Sequence, residues 1–158
     1  MRIEIAAIGR MKRGPEQEIL ARYLDRARKT GSAVGVRDVS VREFVESKSP
    51  TAPARKTEEG KQLAGIAQGK IIVALDETGT VVDSKQLSQI ISKSLNSGRD
   101  LCFLIGGADG LSPQLRDTAD HVIALGRMTW PHQIARLLLC EQIYRVMTIL
   151  SGHPYHRT

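Results

Sequence analysis

Four residues close to the C-terminus have side chains suited to chemistry on a nucleic acid: His153, Tyr155, His156 and Arg157. Histidine exchanges a proton near neutral pH, tyrosine stacks on an unpaired base, and arginine binds phosphate. Chain ends are usually solvated and without function. Composition alone therefore leaves open both a catalytic tail and a plain terminus.

Two turns in the second half of the chain contain residues that let backbone approach a ligand. They are Gly-Gly-Ala-Asp-Gly at 106–110 and Gly-Arg-Met-Thr-Trp-Pro at 126–131. Glycine permits close contact, and the free amides of a helix that starts at Pro131 would favour a carboxylate or a polar ring edge. Neither turn matches the G-x-G-x-x-G or G-x-x-x-x-G-K-[S/T] pattern, so the nucleotide-binding classes that use them are not indicated. Two alternatives stay open. The first turn could be a purely structural strand-to-helix turn, and the second could be a plain helix start with Trp130 as a core or interface anchor.

The elements that must position these turns alternate between strands and helices. Periodicity and turn residues predict strands at 2–9, 34–41, 70–75, 101–105 and 121–125, and helices at about 15–31, 57–69, 83–98, 112–119 and 131–151, with a mobile loop at 47–53 and a turn at 76–79. This order predicts one α/β domain over 1–158, with a mostly parallel sheet flanked by helices. Ligands bind beyond the C-terminal ends of such strands, which selects the loops after Leu75, Ile105 and Leu125.

The last predicted helix is apolar on almost every side, which indicates deep insertion into the domain, a subunit interface, or both. Among its few polar residues, Glu141 and Arg145 stand four apart and are spaced to form an ion pair.

Composition favours an anionic partner. The net charge is +6 and the pI is about 9.6, and clustered cations gain affinity for phosphates by releasing counterions. No apolar run reaches the roughly 18 residues of a membrane span, and the start does not resemble a secretory leader, so we expect a cytoplasmic protein with no membrane partner. Cys102 and Cys140 are isolated, which predicts buried free thiols and no metal site.

Four ordered segments carry a resemblance that covers the whole chain. They are FLIGGADGLSP at 103–113, MTWPHQ at 128–133, EQIYR at 141–145 and HPYHR at 153–157, and the start IAAIG at 5–9 fits the same pattern. The ordered series is far more specific than any one segment. The chain resembles the ribosomal large subunit methyltransferase H family.

The resemblance implies a SPOUT-type fold, in which the C-terminal segment passes through a loop to form a trefoil knot, an exception to the rule that chains do not knot. It also implies a homodimer that transfers a methyl group from S-adenosylmethionine to N3 of a pseudouridine. The implied target lies in the helix 69 loop of 23S ribosomal RNA, and the implied substrate is the assembled ribosome. No metal is implied.

Residues expected to contact the cofactor, carried over from the family's motifs, are Leu75, Gly107, Gly126, Arg127, Met128, Thr129, Trp130 and Pro131. We expect backbone contact at Gly126 and Arg127. His153, Tyr155, His156 and Arg157 are expected to form the RNA-facing catalytic group, with Arg136 and Arg145 as further RNA-binding candidates. Methyl transfer to a ring nitrogen requires loss of its proton, which a histidine or tyrosine could relay and a cation could assist.

Two alternatives stay open. A non-catalytic ribosome-binding or assembly factor could use the basic surface without binding the cofactor. A SPOUT enzyme could instead act on transfer RNA or on a different ribosomal nucleotide. In a dimer, one subunit's tail could also lie over the partner's cofactor.

Overall fold

Five parallel strands form one sheet with helices on both faces, in a computed structural model that describes residues 1–156. The elements, in chain order, are β1 Arg2–Ile8, α1 Pro15–Ser32, β2 Asp38–Phe44, α2 Ala52–Ala67, β3 Ile71–Val81, α3 Ser84–Ser97, β4 Leu101–Ile105, α4 Pro113–Asp117, β5 His121–Ala124 and α5 His132–Ser151. The strand order is β2-β1-β4-β3-β5, and every neighbouring pair is parallel. The predicted α/β class with a parallel sheet is confirmed.

The sheet separates two hydrophobic layers because successive strand side chains point to opposite faces. Ile3 and Ile5 of β1 pack with α1, α3 and α5 on one face. Ala6 and Ile8 of the same strand pack with α2 and α4 on the other. All five residues of β4 are buried, as expected for a central strand covered on both sides.

Local capping explains where several helices begin. Asp83 accepts a hydrogen bond from the Gln86 amide, and the Gln86 side chain accepts one from the Asp83 amide, which makes a complete capping box at the start of α3. Ser112 caps α4 in a simpler way, by accepting from the Leu115 amide. Both helix starts agree with the sequence-based prediction because these signals lie within four residues.

The predicted bounds of β2 are wrong, although residues 38–41 do belong to the strand. The strand spans Asp38–Phe44 rather than 34–41. The Val34 and Val36 amides both donate to the Gly31 carbonyl, at 3.0 and 2.9 Å, so these two valines belong to the turn that ends α1. Their alternation with polar residues mimics a strand, but Val36 is buried against the end of that helix.

The start of α2 is also wrong in the prediction, since this helix begins at Ala52 and not near residue 57. Thr51 caps it, and Pro53 fits in the first turn, where no amide is required. The preceding segment is tied to α2, because Ser49 Oγ donates to Glu58 Oε1 at 2.6 Å and the Ser47 amide donates to Glu59 Oε1 at 2.9 Å. The segment expected to be a mobile loop is therefore held by hydrogen bonds.

The turn predicted at 76–79 lies inside β3 and does not end it. Leu75 and Thr80 both align with Ile123 of β5, so the four residues between them bulge out of the ladder. Asp76 Oδ1 accepts hydrogen bonds from the amide and hydroxyl of Thr78, at 2.9 and 2.6 Å. The local turn chemistry was correctly recognised, but pairing with β5 continues beyond it.

Cys102 and Cys140 are buried free thiols, as predicted. Burial raises the pKa of Cys102 to about 11 and that of Cys140 to about 12. Both thiols therefore keep their protons at neutral pH. Within residues 1–156, no helix is long and apolar enough to cross a membrane.

Candidate functional site

The three loops selected from the sequence converge on one crevice beyond the carboxyl ends of β3, β4 and β5. The crevice has a volume of about 410 Å³, within the range of about 300–1,000 Å³ that small-molecule sites occupy. The apolar lining includes the aliphatic side chains of Leu75, Ile105, Ile123 and Leu125. Parallel strands end at the same edge of a sheet, which is why segments distant in sequence meet here.

The 106–110 loop after β4 makes one side of the crevice. A Cβ added to Gly106 would lie 2.5 Å from the carbonyl carbon of Gly110, so only glycine allows the loop to fold this tightly. The Gly110 amide donates to the Gly107 carbonyl at 3.0 Å and closes the turn. Asp109 then fastens the loop to α2, because Arg55 Nε and Nη2 donate to its two carboxylate oxygens at 2.7 and 3.1 Å.

Acidic groups from the β3 bulge line the opposite side. Burial by itself would raise the pKa of Asp76, but the hydrogen bonds from Thr78 and the positive charge of Arg116 lower it below its usual range. Asp76 is therefore a carboxylate at neutral pH. The neighbouring Glu77 accepts a hydrogen bond from the Thr129 hydroxyl at 3.1 Å, which joins this wall to the loop after β5.

The turn that leads into α5 also lines the crevice, through Gly126 and residues 128–130, whereas Arg127 and Pro131 are not among the lining residues. Gly126 has a φ of 134°, a conformation that other residues rarely adopt. The side chains of Met128 and Trp130 are 68% and 38% exposed, although both are large and apolar. Among residues 1–156, no side chain caps the start of α5, whose first residue, His132, also lines the crevice. The crevice thus combines apolar walls, a carboxylate and free helix amides.

A family model described as "Predicted SPOUT methyltransferase" matches residues 1–156. The chain is also 52% identical over 159 residues to the protein named Ribosomal RNA large subunit methyltransferase H from Sinorhizobium medicae, with 99% of each chain covered. The protein of the same name from Rhizobium etli is 50% identical over the same coverage. The chain belongs to the SPOUT family. Within it, these relatives identify the large subunit methyltransferase H group, and the resemblance seen in the sequence is confirmed.

Solved structures support the fold of this family member. A probable methylase family protein from Haemophilus influenzae superposes with a TM-score of 0.55, covering 99% of this chain and 70% of that chain at 8% identity. A putative methylase family protein from Neisseria gonorrhoeae gives a TM-score of 0.51 at 12% identity, covering 91% and 81% of the two chains. At such low identities, the likeness concerns the fold alone.

One RNA-binding candidate of this SPOUT chain is corrected by the structure. Arg136 is fully buried. Its Nη1 donates to Glu43 Oε1 at 2.7 Å, and its Nη2 donates to the carbonyls of Ile8 and Gly9 at 3.1 and 2.9 Å. Burial lowers the pKa of Arg136, and the nearby Glu43 carboxylate opposes that effect. Arg136 therefore joins the start of α5 to the ends of β1 and β2 and is not available to a phosphate.

The second candidate, Arg145, forms an ion pair with Glu141 at 2.6 Å, as its spacing indicated. Its guanidinium carbon also lies 5.0 Å from the ring centre of Tyr155. The Tyr155 ring packs on Tyr144, with 4.6 Å between centroids, and its hydroxyl donates to Glu141 Oε1 at 3.2 Å. The pKa of Tyr155 is raised to about 12, mainly by burial and further by hydrogen bonds and charges that include those of Glu141. This phenol consequently keeps its proton at neutral pH.

The remaining tail residues differ in environment. His153 is exposed, and its Nδ1 accepts a hydrogen bond from the Tyr155 amide at 3.2 Å. His156 is half-buried, and its Nδ1 is a buried atom without a hydrogen-bond partner among residues 1–156. Arg157, the fourth predicted tail residue, lies outside the described residues.

The tail and the crevice are not brought together within one chain. The crevice touches the first turn of α5, whereas the tail follows its last turn at Ser151. The tail nevertheless folds back along α5, because the Tyr155 hydroxyl donates a hydrogen bond to Glu141. At a rise of 1.5 Å per residue, Glu141 lies about 9 Å along the helix from Ala135, which lines the crevice. The predicted cofactor loops therefore form one site, and tail residues 153–156 do not line it in the same protomer.

Sequence reasoning missed the ion pairs that brace the crevice. Arg55 and Asp109 stand 54 residues apart, and Asp76 and Arg116 stand 40 apart. No spacing pattern connects residues on different elements at such distances. Glu59 was missed for the same reason; it is buried beside Gly107 and, within the described chain, its Oε2 has no hydrogen-bond partner.

Proposed function

We propose that this chain transfers a methyl group from S-adenosylmethionine to N3 of a pseudouridine in the helix 69 loop of 23S ribosomal RNA, with the assembled ribosome as substrate. The observation that carries the proposal is the single crevice lined by the loops after β3, β4 and β5, which include Leu75, Gly107 and most of the 126–131 turn. Relatives about half identical over their full length bear the name of a ribosomal RNA methyltransferase, which supports the same reaction. Ribosomes are cytoplasmic, and so is the proposed place of action.

The residues of the crevice fit the chemistry of this cofactor. An adenine ring would lie against aliphatic walls such as Leu75 and Ile123. The carboxylates of Asp76 and Glu77 would favour the ammonium group and the sulfonium, which are both positive. Backbone amides of the 106–110 loop and of the start of α5 would donate hydrogen bonds to the polar edge of the adenine and to the carboxylate of the cofactor. The absence of a Cβ at Gly106 keeps that backbone tightly folded beside the ligand.

When bound, S-adenosylmethionine supplies a methyl group already activated on a sulfonium. The protein's own part is to hold the target nitrogen in line with that methyl, to exclude water and to assist loss of the N3 proton. Tyr155 keeps its own proton at neutral pH, so it is better suited to stacking than to accepting a proton. His153 and His156 are the proton acceptors of this proposal, and Arg157 is the cation that stabilises the developing anion.

Tail residues 153–156 do not line the crevice of their own chain, which supports a homodimer in which each tail serves the partner's crevice. The exposed apolar side chains of Met128 and Trp130 provide a surface for association. We also propose the trefoil knot of the SPOUT class. After β5, at one edge of the sheet, α5 returns past the ends of β3 and β4 to reach β1 through Arg136, which supports such a crossing.

The decisive experiment is incubation of the protein with labelled S-adenosylmethionine and, separately, assembled ribosomes, isolated large subunits or free 23S RNA. We expect label on one nucleotide of the 23S RNA, with assembled ribosomes as the best substrate, and mapping identifies the position. Calorimetry distinguishes the alternative of an assembly factor, which would bind ribosomes but not the cofactor. A label on transfer RNA or on another ribosomal nucleotide would reject the proposed target.

The assignment of the tail has its own test. Replacing Tyr155 and His156 by alanine should abolish methylation while calorimetry still detects cofactor binding. A Gly106→Val variant should fail to bind the cofactor. When the tail variant and the Gly106→Val variant are mixed at random, half of the dimers contain one subunit of each. In such a dimer, one of the two sites combines the intact crevice of one subunit with the intact tail of the other. Activity should return to about a quarter of wild type, whereas tails acting within their own subunit would restore none.

A further inference from the structure

Four exposed cations lie beyond the carboxyl ends of β1 and β2, on the same edge of the sheet as the crevice. They are Arg10, Lys12 and Arg13 in the loop after β1 and Lys48 in the segment after β2, and together we call them the basic rim. The rim begins next to the crevice, since a Cβ added to Gly9 would lie 3.2 Å from Nε2 of His132, a crevice residue.

The backbone that carries the basic rim is firmly anchored. The Gly9 amide donates to the Phe44 carbonyl at 2.7 Å, and the Gly9 carbonyl accepts from the buried Arg136. The side chain of Met11, between the cations, is buried, and its amide donates to Glu43 Oε1 at 3.1 Å. Arg136 and Glu43 thus fix both the rim and the start of α5, so the rim keeps a set distance from the crevice.

Lys48 is held in a similar way, because the residues on both sides of it are bonded to α2. Ser47 and Ser49 donate their hydroxyls to Glu58. The side chains of all four rim cations nevertheless remain in solvent, where a phosphate can reach them.

The rim cations have no acidic partners in residues 1–156, whereas some cations toward the opposite edge of the sheet do. There, Arg42 and Lys70 both pair with Glu4. In the rim, none of the four cations forms an ion pair. Glu16 and Glu18 follow in the first turn of α1, where the positive end of the helix dipole stabilises them. The positive charge of the rim is therefore not balanced by direct pairing.

We infer that the basic rim binds the phosphate backbone of the ribosomal RNA that carries the target nucleotide, on the side of the crevice away from β5. This inference rests on the proposed function and assigns its RNA-contact surface. Exposed, unpaired cations on an anchored backbone bind phosphates with little backbone ordering and release condensed counterions. The rim would position the RNA, while the crevice and the tail act on the base.

The test compares two variants of equal charge. The rim variant replaces Arg10, Lys12, Arg13 and Lys48 by alanine. The control variant replaces Arg37, Lys61, Lys93 and Arg99, which are also two arginines and two lysines, exposed, and away from the crevice edge. Binding to ribosomes is measured by cosedimentation over a range of salt concentrations, independently of methyl transfer. Thermal melting and calorimetry with S-adenosylmethionine show whether each variant keeps its fold and its crevice.

We expect the rim variant to bind ribosomes at least about tenfold more weakly near 150 mM salt, with the slope of log K against log salt reduced by about 3, as expected for four lost phosphate contacts. The control variant should stay within about twofold of wild type. Equal weakening of both variants, or an unchanged slope for the rim variant, would overturn the inference. If the rim variant unfolds at a lower temperature than wild type, the single charge reversal Lys12→Glu replaces it. Its ribosome binding is then compared with that of the control Lys61→Glu in the same way. Absence of methyl transfer by the wild type would reject the proposed function instead, since this readout is binding.

Discussion

The buried Arg136 gives the sharpest test of the structure. We expect Arg136→Met to lower the free energy of unfolding by about 4 kcal/mol. The substitution roughly conserves volume but leaves the carbonyls of Ile8 and Gly9 without their donor in a buried environment. Each unsatisfied carbonyl costs about 1–3 kcal/mol, so the pair costs about 2–6 kcal/mol.

Glu43 adds little to this cost when Arg136 is removed. Its side chain is 32% exposed, so water can solvate the carboxylate, and the Met11 amide still donates to it. A double-mutant cycle with Glu43→Gln measures the part of the loss that belongs to the ion pair. We expect the carbonyls to account for the larger share.

Arg145→Met is the matched control, because Arg145 lies on the same helix and also pairs with a carboxylate, but its side chain is 31% exposed. Partly exposed pairs of this kind contribute about 0–1 kcal/mol. Urea unfolding should be followed at one fixed protein concentration, since subunit association changes apparent stability. A loss below about 1 kcal/mol for Arg136→Met, or equal losses for the two variants, would refute the assignment of Arg136 as a buried structural cation.

Three further predictions concern charge and burial. Burial raises the pKa of Glu59, so the folded chain binds this proton more tightly and loses stability as the pH rises above the unfolded-state pKa of about 4.3. Glu59→Gln should therefore be more stable than wild type at pH 7 in urea unfolding. Near pH 4 this advantage should disappear. The native protein should resist alkylation of Cys102 and Cys140 by iodoacetamide at pH 8, and rapid labelling followed by mass spectrometry would contradict their burial. Asp109→Asn should weaken S-adenosylmethionine binding several-fold in calorimetry, because it loosens the 106–110 loop, while the exposed Asp117→Asn should not; equal affinities would show that the brace is unimportant.

Local signals made much of the fold predictable. The capping box of Asp83 and Gln86, the apolar run of β4 and the glycine that ends α3 at Gly98 all act within a few residues, so a short window of sequence contains the interactions that define them. The same reasoning failed at Val34 and Val36, where a turn against the end of α1 has the alternation of a strand. Periodicity records which side chains are apolar, not which surface buries them.

The crevice was predictable for a topological reason. Parallel strands joined by helices all end at one edge, so the loops after Leu75, Ile105 and Leu125 had to meet once the alternation of elements was recognised. The family resemblance added the cofactor, which no spacing in these loops indicated.

What only the tertiary structure decided is the role of each charged side chain. Arg136 reads in sequence as a polar residue on an apolar helix, available to RNA, but its partners Ile8 and Gly9 lie 128 and 127 residues away, and burial against them makes it structural. The tail likewise carries suitable chemistry in sequence, yet residues 153–156 do not line the crevice of their own chain, and Tyr155 packs against Tyr144 and Glu141 of α5 instead. Short-range backbone preferences are contained in the chain itself, whereas the desolvation and pairing of a charge depend on distant segments that folding brings together.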